Sequence, residues 1–293
     1  MTSSTAPTPS ATFQALRPRL FGIAYRMLGV RADAEDVLQD AWLRWRDADH
    51  GALQSAEAWL VTVVTRLAID RLRALRAERE AYVGNWLPEP LVEADERTPE
   101  SLAELASDVS VAFLHVLERL APEERAAFLL RQVFDYDYDE IAGMLGKRGT
   151  AVRQMVHRAA ERVRQERPRF EVPPEIHRDL LQKFMLAARS GERAAIRALL
   201  ADDVLTIGDG GGKVPSVAGG LRGGERVTNL YWAHALRLGS RLQYRIATIN
   251  GEPGLLRFID GRLESANAVV TDGSRIVAIY AVRNPDKLEN VRA

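Results

Sequence analysis

From Phe13 to about Tyr82 apolar residues recur at helical spacing among Arg, Asp and Glu, and from Leu102 to Arg167 they do so again. In "RADAEDVLQDAWLRWRD" the stripe is Val37, Leu38, Ala41, Trp42 and Trp45, with Asp33 placed as an N-cap; Glu35, Asp36, Gln39 and Asp40 form an acidic face. In "AEAWLVTVVTRLAIDRLRALRAERE" Trp59, Leu60, Val63, Val64 and Leu67 point inward, and Arg66, Arg73, Arg76 and Arg79 form a basic edge. In "DYDEIAGMLGKRGTAVRQMVHRAAERVRQ" Asp137 and Glu140 make a capping box, Ile141 and Leu145 share one face, and Gly146 ends the helix. Thr150 then caps a second helix whose stripe is Val152, Val156, Ala159 and Val163. A short helix, a glycine turn and a basic amphipathic helix describe a helix-turn-helix.

Between these segments "GNWLPEPLVEADERTPES" carries three prolines and many acids and reads as an exposed linker. "RPRFEVPPE" marks a second boundary, and beyond it the period changes. Two helical stretches lead into "DVLTIG", "RLQYRIATI", "GLLRFI", "LESANAVV" and "RIVAIYAV", separated by Gly, Asn and Asp turns, as in one antiparallel sheet. The predicted fold class is multidomain: two all-α domains followed by an α+β domain.

Composition changes this picture in three ways. The 293 residues contain no cysteine, which excludes disulfides and thiolate metal sites, and nothing in the chain suggests a cofactor or metal. The N-terminal Ser/Thr/Pro stretch is not a signal peptide, and no apolar run has the length to span a bilayer, which points to the cytoplasm. Formal net charge is zero, yet eight basic and two acidic residues fall between Lys147 and Arg169, against seven acidic residues and only Arg97 between Ala81 and Val116. Such blocks let a neutral chain present a basic face to DNA. Arg153, Gln154, His157 and Arg158 lie opposite the apolar stripe, where Arg and Gln reach guanine and adenine edges; Lys147, Arg148, Arg162 and Arg164 suit phosphates.

"DGGGKV" (209–214) suggests a phosphate loop. A P-loop needs Gly five residues before Gly-Lys and a hydroxyl residue after it; here those positions are Ile207 and Val214, so the motif fails at both ends.

"DAEDVLQDAWLRW", "AWLVTVVTRLAIDRLR" and "APEERAAFLLR…DYDEIAGMLGKRGTAVRQMVHRAAERVR", in this order, resemble regions 2 and 4 of the extracytoplasmic-function sigma factors, promoter-recognition subunits of bacterial RNA polymerase. The resemblance implies region 2 at 10–82, a linker at 83–111 and region 4 at 112–168. It implies that Asp36, Gln39 and Asp40 dock on core polymerase (β′ clamp, with region 4 on the β flap). Arg66, Arg73 and Arg76 would engage the −10 element. Lys147, Arg148, Arg153, Gln154, His157, Arg158 and Arg162 would bind the −35 element. Thr65 and Arg66 stand where many relatives carry Arg-Asn, which leaves the −10 base preference open.

Residues 175–293 resemble a SnoaL-like, NTF2-type cone. "NWLPEP" (85–90), "DGGGKV" and "NPDKL" (284–288) are similar to stretches of the sigma-factor subgroup with this extension, which usually has proline at position 85. That resemblance implies regulatory contacts by Trp86, Pro88, Asp209, Gly210, Gly211, Gly212, Lys213, Asn284, Pro285, Asp286 and Lys287, the glycine loop facing the sigma domains or the linker. Lys213 would meet an acidic linker bearing Glu89, Glu93, Asp95 and Glu96. The expected function is promoter-specific initiation modulated by the chain's own C-terminal domain, with core polymerase and promoter DNA as partners, no separate anti-sigma protein, a monomer when free, and no enzyme activity. The alternatives are a plain turn at the glycine loop, a ligand pocket lined by Trp232, His234, Tyr244 or Tyr280, and an isomerase or hydrolase using Asp209 and His234.

Overall fold

The structure is a computed structural model that describes residues 8–92, 109–166, 170–217 and 219–291. The chain forms two compact units: among the described residues, 8–78 and 116–166 belong to the first, and 79–92, 109–115, 170–217 and 219–291 to the second.

The first unit begins with α1 (Pro9–Leu28), capped by the Thr8 hydroxyl, which accepts from the Ala11 amide at 3.2 Å, and closed by Gly29. Helix α2 (Arg31–Arg46) and helix α3 (Ala56–Glu80) follow. The expected cap at Asp33 is corrected: the helix already starts at Arg31, and Asp33 sits in its first turn, largely buried, accepting from Arg71 Nη2 at 2.6 Å. A carboxylate near a helix N-terminus meets favourable amides, and the Arg71 partner joins α2 to α3. The buried stripe of α3 is also rotated from the predicted one. Leu60, Val61, Val64, Ala68, Leu72 and Leu75 are buried, whereas Trp59, Val63 and Leu67 are only partly so.

Helix α4 (Val111–Leu117) leads to α5 (Pro122–Gln132), α6 (Tyr138–Leu145) and α7 (Gly149–Glu166). The predicted start of α6 is present: the Asp137 amide donates to the Glu140 carboxylate at 2.8 Å. Gly146 ends it at φ 63°, in the left-handed region. Helix α7 buries Val152, Val156, Ala159 and Val163 as expected, and Met155 with them. Thr150 is not its cap, because the helix begins one residue earlier, at Gly149, with the Arg148 carbonyl accepting from Ala151 and Val152. Arg125, almost fully buried, donates to the Met27 carbonyl (2.6 Å) and to Glu118 (2.7 Å), tying α5 to the end of α1.

The second unit contains α8 (Pro174–Ser190), α9 (Arg193–Ala198), β1 (Leu200–Asp209), β2 (Leu221–Arg222), α10 (Gly224–Leu238), β3 (Leu242–Ile249), β4 (Glu252–Ile259), β5 (Arg262–Thr271), β6 (Ile276–Val282) and α11 (Pro285–Leu288). The sheet order is β2-β1-β6-β5-β4-β3. The expectation of an antiparallel sheet holds for every pair except β1 with β6, which run parallel. The β3–β6 meander needs only tight turns, but β1 joins its last strand after a long crossover through α10, and such a crossover permits a parallel pair.

Alternation along the strands gives the sheet two buried faces. Leu255, Val269 and Ile279 pack against Leu181, Phe184, Val227 and Tyr231 of the helices. Leu256, Phe258, Ala266, Ala268, Tyr280 and Val282 form the opposite face with Leu87, Val111, Ala112 and Leu288. The reading of "NWLPEP" as exposed is therefore corrected: Leu87, Pro88, Glu89 and Pro90 are buried. Removing a leucine side chain such as Leu87 from water contributes about 1.5–3 kcal/mol, and prolines lose little chain entropy on docking. Helices on one side of a sheet, with the chain's own connecting segment on the other, realise the α+β NTF2-type fold.

Candidate functional site

In the second unit the predicted regulatory residues converge on one buried carboxylate. Asp209 ends β1 with no solvent exposure. One of its oxygens accepts from the Tyr82 hydroxyl (2.6 Å) and the Gly211 amide (3.0 Å); the other accepts from the Leu87 amide (2.9 Å) and Lys287 Nζ (2.7 Å). Lys287 also donates to the Leu87 carbonyl at 2.5 Å and lies 4.2 Å from the Trp86 ring centroid and 5.1 Å from that of Tyr82. Arg79 covers the same Trp86 ring at 4.1 Å. Asn284 Nδ2 donates to the Tyr82 hydroxyl at 2.9 Å, and its carboxamide oxygen caps α11 by accepting from Asp286. Burial, then the Asp209 carboxylate, raises the Tyr82 phenol well above its ordinary value. A buried ion pair is tolerable only when the remaining donors and acceptors are satisfied, and this pair has them.

The glycine loop shapes the approach to this cluster. Lys213 and Val214 donate back to the Gly210 carbonyl, and Gly211 and Gly212 adopt φ 60° and 70°. A Cβ at Gly211 would run into the Asn284 carboxamide, and one at Gly212 would sit 3.1 Å from Cβ of Val83. The loop therefore faces Val83 and Asn284, and the plain-turn alternative omits these close approaches. Lys213 pairs with Asp286 at 2.6 Å. Glu89 accepts from Asn290 at 3.2 Å, while Glu93, Asp95, Glu96 and the start of the second helical segment at Leu102 lie outside the described residues. Pro285 opens α11 and is exposed; Pro88 is buried. Asn85 donates to the Val217 carbonyl at 3.1 Å, a bond the proline usual at that position could not make. Tyr82 was not singled out by the sequence; its only signal is an aromatic two residues beyond the end of α3.

The catalytic alternative loses its pair. Both Asp209 oxygens are occupied as above, and His234 Nδ1 lies 3.4 Å from Arg257 instead. The proposed pocket lining is also split, since Trp232 and Tyr244 pack on the helix-facing side of the sheet and Tyr280 on the other, against His115.

In the first unit Asp36, Gln39 and Asp40 are exposed on α2, whereas Glu35 pairs with Arg17 at 2.5 Å. Thr65 packs inward and Arg66 outward on α3. Arg66 donates to the Met144 carbonyl (2.8 Å); Arg73 and Lys147 both pair with Glu123 (2.7 and 2.8 Å). These cations, Lys147 foremost, hold the Glu123 carboxyl below its usual range. Arg76 is exposed near the end of α3. Arg148, Arg153, Gln154, His157, Arg158 and Arg162 are exposed on the helix-turn-helix, as its stripe requires. Arg153 lies over the Tyr138 ring, and Arg158 and Arg162 lie 3.7 and 3.6 Å from Glu124.

The helical unit with its helix-turn-helix is that of a sigma-type transcription factor by comparison with known proteins. Residues 12–78 match the model of Sigma-70 region 2, and residues 110–163 that of Sigma-70, region 4. The ECF RNA polymerase sigma factor SigJ of Mycobacterium tuberculosis (strain H37Rv) is 36% identical over 94% of this chain and 91% of its own length. The probable ECF sigma factor SigI of M. tuberculosis (strain CDC 1551) is 28% identical over 97% of this chain and 96% of its own. The crystal structure of M. tuberculosis SigJ superposes with a TM-score of 0.78 at 35% identity, covering 95% of this chain and 98% of that one. The chain belongs to the extracytoplasmic-function sigma factors. It is a non-enzymatic RNA polymerase sigma factor that binds core polymerase and promoter DNA. Among the described residues no helix is long and apolar enough to cross a membrane.

Proposed function

We propose that the second unit regulates this sigma factor by holding the connection between regions 2 and 4. The observation that carries the reading is the placement of residues 79–92 and 109–115. Both ends of that connection are built into the second unit, one of them around the buried Asp209. Docked ends shorten the chain available to separate the two sigma regions, since each residue spans at most about 3.3–3.6 Å. Partners that share a chain meet at a high effective concentration, so a modest dock suffices. The pairing of Arg66, Arg73 and Lys147 inside the first unit supports the same reading, because phosphates must compete with these protein partners for the cations. The dock is inhibitory, acts in the cytoplasm, and serves a free monomer in place of a separate anti-sigma protein.

Asp36, Gln39 and Asp40 dock on the β′ clamp of core polymerase and region 4 on its β flap; Arg66, Arg73 and Arg76 engage the −10 element. Reversing charge at both Asp36 and Asp40 abolishes co-purification with core polymerase while circular dichroism stays unchanged, because both side chains are exposed. Retention of wild-type binding would reduce the patch to a solvated face.

Lys147, Arg148, Arg153, Gln154, His157, Arg158 and Arg162 serve the −35 element. Arg153→Ala and Gln154→Ala each lower discrimination between promoter and random DNA by about 1–3 kcal/mol. Arg162→Ala weakens binding to both and reduces its salt dependence. Binding isotherms at several salt concentrations separate the two behaviours, and equal losses on both DNAs for all three variants would contradict the assignment.

A further inference from the structure

The cations of the helix-turn-helix do not share one kind of partner. Arg158 and Arg162 on α7 approach Glu124, and Lys147, in the turn before α7, pairs with Glu123. Arg153, exposed in the second turn of α7, meets no carboxylate. Among the described residues it makes no hydrogen bond or ion pair, and its guanidinium carbon lies 5.4 Å from the centroid of the Tyr138 ring.

Tyr138 is itself held in place. It opens α6 directly after the Asp137 cap, is half-buried, and carries a second guanidinium, that of Arg131 in the last turn of α5, at 5.1 Å. Arg131 is anchored in turn: its Nη1 donates to the Tyr136 carbonyl at 3.1 Å and lies 3.5 Å from Asp135 and 3.7 Å from Asp137. Those carboxylates offset the repulsion between two cations on one ring. Three helices thus contribute one residue each to a cluster that ends at Arg153.

A free arginine side chain samples many rotamers, and ordering it at a binding site costs entropy. An aromatic ring attracts the guanidinium through its quadrupole and supplies no acceptor oxygen, so the N–H fork stays available to a second partner. A carboxylate, by contrast, competes for the same donors. We propose that Tyr138 is a positioning residue for sequence readout: it holds Arg153 on its ring before DNA arrives, so that the fork meets O6 and N7 of a guanine already ordered. The proposal rests on the assignment of Arg153 to base readout and adds to it a residue outside the basic face.

Binding-site selection tests both levels. Core polymerase reconstituted with the full-length protein selects from a pool of duplexes of randomised sequence, and base preference is read position by position. Arg153→Ala lowers the preference for guanine about five-fold or more at one position, which marks the base it reads. Tyr138→Leu lowers the preference at that same position by about two- to five-fold, the range of an exposed ring–cation contact, and leaves the other positions unchanged. Tyr138→Phe, which keeps the ring, matches the wild type. Impaired folding depresses recovery at all positions together, so the ratio between positions separates it from the proposed role. A Tyr138→Leu variant with wild-type preference at the position of Arg153, a loss spread evenly over all positions, or a Tyr138→Phe variant as impaired as Tyr138→Leu overturns the positioning role and leaves the Arg153 assignment intact. Unaltered preference at every position in Arg153→Ala overturns both.

Discussion

Asp209→Ala lowers the unfolding free energy of the second unit by about 3–5 kcal/mol, the loss typical when one partner of a buried ion pair is removed. The substitution does more than delete a contact. It leaves the Lys287 ammonium buried without its counter-ion and strips the Tyr82 hydroxyl, Leu87 amide and Gly211 amide of their acceptor. Asp209→Asn is milder, because the amide keeps one acceptor oxygen. Replacing both charges, as Asp209→Asn with Lys287→Met, recovers part of the loss, since the buried ion pair goes as a whole. Urea unfolding of these variants and of Lys287→Met, followed by tryptophan fluorescence in a background in which Trp42, Trp45 and Trp59 of the first unit are replaced by Phe, measures the losses. A double variant whose loss equals or exceeds the sum of the Asp209→Asn and Lys287→Met losses would show that the pair is not coupled as described.

Removal of residues 284–293 raises transcription from the cognate promoter several-fold relative to the full chain. The deletion takes away Asn284 and Lys287, two of the side chains that hold Tyr82 and Leu87, and leaves every strand of the sheet in place. The connecting segment is then retained by Leu87 burial, the Asp209 contacts to Tyr82 and Leu87, and the bonds of Asn85 to Val217 and of Leu91 to Asn250. A reporter assay, with circular dichroism confirming that the shortened protein folds, reads the effect. Unchanged activity returns the glycine loop to an ordinary turn.

What the sequence made legible is local. The capping box at Asp137 and Glu140, the stop at Gly146 and the Val152–Val156–Ala159–Val163 stripe are set by residues a few positions apart, and the structure follows them. The strands were equally legible from β-rich runs between turns. The errors arise where distant residues decide. Asp33 looked like a cap because Arg71, 38 positions away, is invisible to a local pattern. "NWLPEP" looked exposed because the sheet face that buries it is built from residues more than 150 positions later, such as Leu256 and Val282. Tyr82 and Asp209 are 127 residues apart and no periodicity relates them. The stretches "NWLPEP", "DGGGKV" and "NPDKL" were singled out by resemblance, and only the fold brings them onto one carboxylate.

The central claim, that docking of the connecting segment restrains initiation, has a direct test in a reversible lock. Val92 and Ile249 face each other in an antiparallel bridge of the second unit, and the chain has no cysteine of its own. Facing residues of such a bridge have Cα atoms about 4.5–5.5 Å apart, within the range a disulfide spans. The measurement is run-off transcription by core polymerase with the full-length Val92→Cys/Ile249→Cys variant, oxidised and then reduced, with free thiols counted in each state. The account predicts little transcript from the oxidised protein and recovery to wild-type level on reduction. Equal transcript from both states, with the disulfide verified as formed, would contradict it.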